Sequence, residues 1–304
     1  MGFEGCAAMA YREADKSLRE IENCPHVDIL GVKVSAINLP KTVALADMVI
    51  RSGKGGYVCV TGVHGVMEAQ KDPLFRKILN DAIINTPDGM PMSWVGWLSG
   101  FRTMNRVYGP DFMLALCELS VQRGYRHFLF GGKPGVAPAL QTALQARFLG
   151  LNVVGTYTPP FRALTSAEEI GLFSLVRTLQ PDIIWVGLST PKQEKFMATY
   201  SARLHVPLMV GVGAAFDIHS GQSRDAPDWV KRSGLQWLHR LAQEPRRLAP
   251  RYLKNNPLFL LLVSRQLARN GIEKLKHARW HRSSQGRDDG FHQAIRGEVN
   301  ETEG

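Results

Sequence analysis

Short apolar runs rich in β-branched residues, separated by segments of helical spacing, constrain this chain more than any other feature. "GGYVCVTGV" (55–63), "AIINTPDG" (82–89), "YRHFLFGG" (125–132), "LNVVGTYTP" (151–159), "DIIWVGLS" (182–189) and "VPLMVGVGAAFDIHSG" (206–221) read as strands, several of them ending in glycine turns. Helical spacing lies between them: 39–53, 65–82 with a break at Pro73, 91–101, 111–124, 136–150, 165–181 and 191–204. The helix at 165–181 opens with a capping box, either Ser166 with Glu169 or Thr165 with Glu168. An earlier stretch, "HVDILGVKVSAI" (26–37), alternates and reads as a strand or hairpin. Strands buried on both faces carry continuous apolar runs, and strand–helix alternation predicts an α/β fold with a mostly parallel sheet and right-handed crossovers.

In such sheets ligands bind at the carboxyl ends of the strands. That rule selects the residues just after each run. "TPDGMP" (86–91) sets Asp88 between a proline and a glycine, at the edge of an apolar segment. Pro-Asp-Gly is a common turn, and a strand-end acid followed by a permissive glycine is also a candidate base. "RVYGPDFM" (106–113) brings Arg106 and Asp111 around a Gly-Pro turn, where Asp111 is either a ligand or a helix N-cap. "FGGKPG" (130–135) offers Gly131, Gly132 and Lys133 to a phosphate or simply turns the chain. "GLSTPKQEKF" (187–196) puts Gln193 and Glu194 in a first helical turn, reaching toward the crevice. "AAFDIHSG" adds Asp217 and His219.

Other chemistries lack their signatures. "GVGAAFD" misses the third glycine of a dinucleotide fingerprint and "FGGKPG" misses the ending of a P-loop, so no cofactor is expected. HxH, HExxH and DxD patterns are absent, so no metal site is expected. The four cysteines form no CxxC pair and read as reduced thiols. No basic n-region precedes an apolar h-region at the start, so no signal peptide is expected. "LFLLLV" (258–263) is far short of the ~20 residues that span a bilayer.

The net charge is +10, and residues 224–282 carry all of it, with fourteen Lys/Arg against four Asp/Glu. A local excess of this kind calls for a polyanionic partner: anionic membrane, phosphate or nucleic acid. The same segment is helical in pattern, rich in Arg, Trp and Leu, and punctuated by prolines. The chain therefore divides into a flexible leader (1–26), an α/β catalytic domain (27–223), a basic helical appendage for membrane or diphosphate binding (224–282) and a disordered tail (283–304).

Six motifs in order, "VTGVHGVMEAQKDP", "TPDGMP", "RVYGPDF", "FLFGGKPG", "PDIIWVGLSTPKQE" and "VGVGAAFDIHSG", resemble those of the WecG/TagA/CpsF family of bacterial glycosyltransferases. "RAPDWVKRSGLQWLHRLAQEPRR" is similar to that family's C-terminal appendage. The resemblance implies a Rossmann-like fold and a metal-free, inverting transfer from a UDP-sugar donor to an undecaprenyl-diphosphate-linked sugar. It implies an enzyme of the cytoplasm, peripheral on the inner face of the cell membrane, serving cell-surface polysaccharide synthesis, with N-acetylmannosamine or glucose as donor sugar. It allows for a homo-oligomer and assigns no nucleic-acid partner. Asp88 matches the family's proposed base, with Gly89 beside it leaving room for a sugar. Thr61 and Gln193 match its other conserved polar positions, and Arg240, Arg247 and Arg251 match arginines proposed to hold the diphosphate. Many members carry asparagine two residues after the threonine; here Val63 stands there, followed by His64, so that role is either absent or taken by His64. The rival reading, a nucleic-acid-binding protein using the basic segment, leaves the strand-end motifs without a purpose.

Overall fold

The computed structural model describes residues 19–272, Arg247 excepted. Six strands form one all-parallel sheet in the order β4-β3-β8-β7-β5-β6: β3 (Tyr57–Thr61), β4 (Ile84–Pro87), β5 (Arg126–Gly131), β6 (Asn152–Tyr157), β7 (Ile183–Gly187) and β8 (Leu208–Gly211). The expected mostly parallel sheet flanked by helices is present. Val58, Cys59, Ile183, Trp185, Leu208 and Val210 are fully buried, as strands covered on both faces require. A separate antiparallel hairpin, β1 (His26–Ile29) with β2 (Val32–Ser35), lies beside β4. It blunts that edge through two side chains: Asn85 Nδ2 donates to the Lys33 carbonyl at 2.9 Å, and the Asn85 backbone N–H donates to Ser35 Oγ at 3.2 Å.

Local chemistry sets the helix ends. Asn38 caps helix Leu39–Ser52, accepting from the Lys41 N–H, and Gly53 closes it at φ 63°. The break at Pro73 separates helices Val63–Ala69 and Pro73–Asn80, the second capped by Asp72. Of the two capping boxes considered, Thr165 with Glu168 is the one formed. Residues 215–219, expected as turn, wind into a short helix. Asp111 is not an N-cap: helix Gly109–Arg123 is preceded by Tyr108, and the Asp111 side chain pairs with Arg106 instead.

Packing divides the chain into one unit up to Phe259 and a second from Leu260. Within the first, helices Asp228–Arg232 and Gln236–Gln243 follow the sheet, and the backbone is helical over 248–259. In the second, 260–272 are helical. The leader through residue 18, Arg247, and the appendage and tail from 273 onward lie outside the described residues. Among the described residues no helix is long and apolar enough to cross a membrane.

Candidate active site

The last register pair between β3 and β4 is Thr61 with Pro87, so the next residues, Gly62 and Asp88, leave the sheet side by side. Asp88 N–H donates to the Thr61 carbonyl at 2.9 Å. A Cβ at position 62 would stand 3.0 Å from the Asp88 carbonyl oxygen and 3.6 Å from its Oδ2, so this approach needs glycine. Gly89 turns the chain into helix Met90–Leu98 with φ 85° and ψ 154°, a conformation that side chains disfavour. Asp88 is enclosed by protein yet keeps some exposure, and among the described residues nothing hydrogen-bonds its carboxylate. Burial pushes its pKa up to about 6, against the opposing pull of Arg106 and Arg240. Nearby Asp111 adds to the rise.

Arg106 itself is fastened to the protein. Its Nη2 donates to Asp111 Oδ2 at 3.1 Å and its Nη1 to Gln236 Oε1 at 2.9 Å, while the guanidinium lies 4.9 Å from the centre of the Tyr108 ring. Burial raises the Asp111 carboxyl, with Lys231 and Arg106 opposing. Tyr108 Oη donates to Asp225 Oδ1 at 3.2 Å, and Lys231 Nζ lies 2.6 Å from Asp225 Oδ2. This network joins Asp225, Lys231 and Gln236 to Arg106, Tyr108 and Asp111 at the start of helix Gly109–Arg123. The segment also covers the start of helix Met90–Leu98, where a Cβ on Gly234 would meet Trp94 at 3.1 Å and Met90 at 3.3 Å.

On the far side of Asp88, Thr61 is buried with its Oγ1 unpartnered among the described residues. His64, in helix Val63–Ala69, accepts at Nδ1 from Asn255 Nδ2 at 3.2 Å. Burial first, then Arg251, pushes its pKa down to about 4; a hydrogen bond to the Thr190 backbone and nearby Glu68 oppose this. His64 is therefore neutral near pH 7. Gln193 and Glu194 open helix Lys192–Leu204 and are almost wholly buried, and burial raises the Glu194 carboxyl.

The remaining predicted residues sit further along the same edge. Gly131 and Gly132 turn with φ 129° and 75°, and Lys133 is exposed beyond them. Asp217 is half-buried in the short helix after β8, and neighbouring His219 is tied to the Pro110 carbonyl at 3.0 Å. The carboxyl edge thus gathers Thr61, Asp88, Gly89, Arg106, Asp111 and Arg240 on the β3–β4 side, with Gln193 and Glu194 over β8. His64 meets Asn255 next to β3 and feels the charge of Arg251, and Arg247 lies outside the described residues. Among the described residues no three His, Cys, Asp or Glu converge in a geometry for a metal ion.

Sequence reasoning missed Asn255, Gln236 and Tyr108. Asn255 contacts His64 across 191 residues and Gln236 contacts Arg106 across 130, so no local pattern announces either. Tyr108 lay inside a quoted motif and could have been found, since a phenol between two candidate polar residues invites a partner.

Residues 27–272 match the model of the glycosyl transferase WecG/TagA/CpsF family, a span that takes in all six motifs. An N-acetylglucosaminyldiphosphoundecaprenol N-acetyl-β-D-mannosaminyltransferase of Bacillus spizizenii is 27% identical over 194 residues, covering 64% of this chain and 74% of the relative. The protein of the same name from Bacillus subtilis strain 168 is also 27% identical over 194 residues, covering 63% and 73%. By its strand-end motifs and by a family match over most of its length, the chain belongs to the WecG/TagA/CpsF family of glycosyltransferases and is a sugar-transferring enzyme.

Proposed function

We propose that the enzyme moves a hexosyl group from a UDP-sugar, of the N-acetylmannosamine or glucose type, to a sugar carried on polyprenyl diphosphate, with inversion and with Asp88 as general base. The relatives' names specify a mannosaminyl group and a diphosphoundecaprenol-linked acceptor, which supports this substrate class. The position of Asp88 carries the base assignment: its carboxylate stands at a strand end with no hydrogen-bond partner among the described residues, and burial pushes its pKa up to about 6. Such a group is ionised at pH 7 and still basic enough to take a proton as an alcohol attacks.

In the step itself the acceptor hydroxyl oxygen forms a bond to the anomeric carbon, and its proton passes to Asp88. The bond from that carbon to the β-phosphate oxygen breaks, and UDP leaves with the electron pair. Backside attack inverts the anomeric configuration, so an α-linked sugar nucleotide yields a β-linked product like the one the relatives' names print. Negative charge grows on the diphosphate as the bond breaks, and cations fixed beforehand stabilise it without reorganisation. Arg240 acts electrostatically on Asp88 and belongs to a segment docked over the site, which supports its role beside the acceptor diphosphate. Arg251 adds positive charge next to His64, whose low pKa of about 4 makes it too weak a base for the proton transfer and whose Nδ1 is engaged by Asn255. Arg106 and Asp111 fix the loop that Tyr108 and Lys231 tie to the C-terminal segment.

We further propose a peripheral seat on the anionic membrane face. Exposed Trp229, Trp237, Leu238, Leu253 and Leu258 stand among exposed Arg232, Arg246 and Lys254. This mixture suits an interface, where each basic residue near the surface adds about 1 kcal/mol. The deciding experiment measures UDP release from a panel of UDP-sugars with a short-chain lipid-diphosphate acceptor, with and without EDTA. Release with one donor, unaffected by EDTA, is expected. Release that needs added divalent metal overturns the metal-free reading, and no release alongside no UDP binding overturns the reaction class.

A further inference from the structure

Gln193 and Glu194 were both expected to reach the ligand. Their hydrogen bonds divide the work differently. Gln193 Nε2 donates to Glu194 Oε1 at 3.0 Å, and Thr190 Oγ1 donates to the same oxygen at 2.7 Å. Oε1 accepts both bonds whether or not the carboxyl carries a proton, so the orientation of the Gln193 amide does not depend on its charge. Gln193 is 3% exposed and Glu194 1%. Gln193 Oε1 and Glu194 Oε2 both lack a partner among the described residues, although both are buried; only the Gln193 oxygen is placed against the exit of β8.

The direction of that oxygen follows from the two glycines of β8 and its exit. A Cβ at position 211, inside the strand, would lie 3.1 Å from Gln193 Nε2. A Cβ at position 213, beyond the strand end, would lie 3.4 Å from Oε1 and otherwise meet only Ser189 Cα at 4.0 Å. The amide therefore runs along the strand, nitrogen inward and oxygen toward the open carboxyl edge. A buried acceptor left without a donor keeps an uncompensated desolvation cost, which a ligand donor removes.

Resting on the glycosyl-transfer reading, we infer that Glu194 is a positioning residue that locks the Gln193 amide, so that its carbonyl oxygen accepts a hydrogen bond from an N–H or O–H of the sugar nucleotide. Through its Oε1 Glu194 acts on the ligand by way of Gln193, and Thr190 steadies that oxygen.

Calorimetric titration of the full chain with UDP, a UDP-hexose and a UDP-N-acetylhexosamine tests this without turnover. Glu194→Leu is expected to raise Kd about tenfold, the cost of one misdirected hydrogen bond. Glu194→Gln keeps an acceptor at the Oε1 position and should stay within about twofold of wild type. In a Gln193→Met background Glu194→Leu should add nothing, because the group it positions is gone. If Glu194→Leu does not fold, Thr190→Val gives the same test: a smaller loss that also disappears in the Gln193→Met background. Equal losses for UDP and both UDP-sugars assign the donating group to the nucleotide; losses confined to the UDP-sugars assign it to a sugar hydroxyl or amide N–H. Additive losses, or Glu194→Gln binding as weakly as Glu194→Leu, overturn the inference by making Glu194 a ligand contact in its own right. Wild type that binds UDP-sugars while the variants bind equally well overturns it while sparing the transferase reading; wild type that binds none overturns both.

Discussion

The Asp88 N–H donates to the Thr61 carbonyl at 2.9 Å, one residue beyond the last register pair of β3 and β4. The sheet itself thus delivers the carboxylate to the carboxyl edge, on backbone that a side-chain substitution does not disturb. Asp88→Asn should keep the fold and UDP affinity and lose about 10²–10⁴ in kcat, the range for a missing general base. Turnover and calorimetry on the same preparation check this. Unchanged kcat would reduce Asp88 to a turn residue.

The pH profile follows from the same group. With a pKa of about 6, Asp88 becomes ionised as pH rises, so kcat/KM of the free enzyme should climb through an ascending limb near pH 6 and level off above it. Arg106 and Arg240 both hold that pKa down. Arg240→Gln should therefore move the limb to higher pH while also raising the acceptor KM. A limb that stays in place would mean that another group titrates there.

The sheet, its helices and the strand ends were legible because each depends on short-range pattern: apolar runs, caps and glycine turns. Pro73 breaks its helix where the sequence says it should, and Asp88 emerges at the strand end that its motif suggested. What the sequence hid was which groups meet. Asp111 reads equally well as a ligand contact and as a helix N-cap, and only the fold shows that it pairs with Arg106. Gln193 and Glu194 look like two side chains aimed at one crevice, yet neighbouring side chains on a helix can bind each other, and these do. The pairing of His64 with Asn255 is set by how the C-terminal segment returns over the sheet, which no local periodicity encodes.

His64 is the residue that follows the position where many family members carry asparagine. Burial and Arg251 hold its pKa near 4, so it is neutral across the working range. His64→Gln should therefore cost less than about fivefold in kcat, far below the 10²–10⁴ of a lost proton-transfer group. The ascending limb should not move. The unfolded chain takes up a proton near pH 6.5 that the native histidine refuses. His64 thus makes wild type lose stability as pH falls from about 6.5 toward 4, and His64→Gln should lose less over that range. Thermal melts at pH 7 and pH 5 give the comparison.

Asp88 makes the opposite contribution, and stability can therefore report on it independently of activity. Its native pKa is about 6, whereas an unfolded aspartate titrates near 3.9. Between those values the native state holds a proton that the unfolded state has released. Stability from this group is therefore fully present below about pH 4, falls as pH rises through 6, and stays low above that. The cost at neutral pH is that of keeping a carboxylate ionised in an enclosed site with no hydrogen-bond donor among the described residues. Asp88→Asn removes the titration, so its melting temperature should exceed that of wild type at pH 7.5, and the gap should close as pH falls to 4. Melts of both proteins in parallel buffers measure it. A gap independent of pH would show that Asp88 does not titrate in this window, and the base assignment would then lose its electrostatic support.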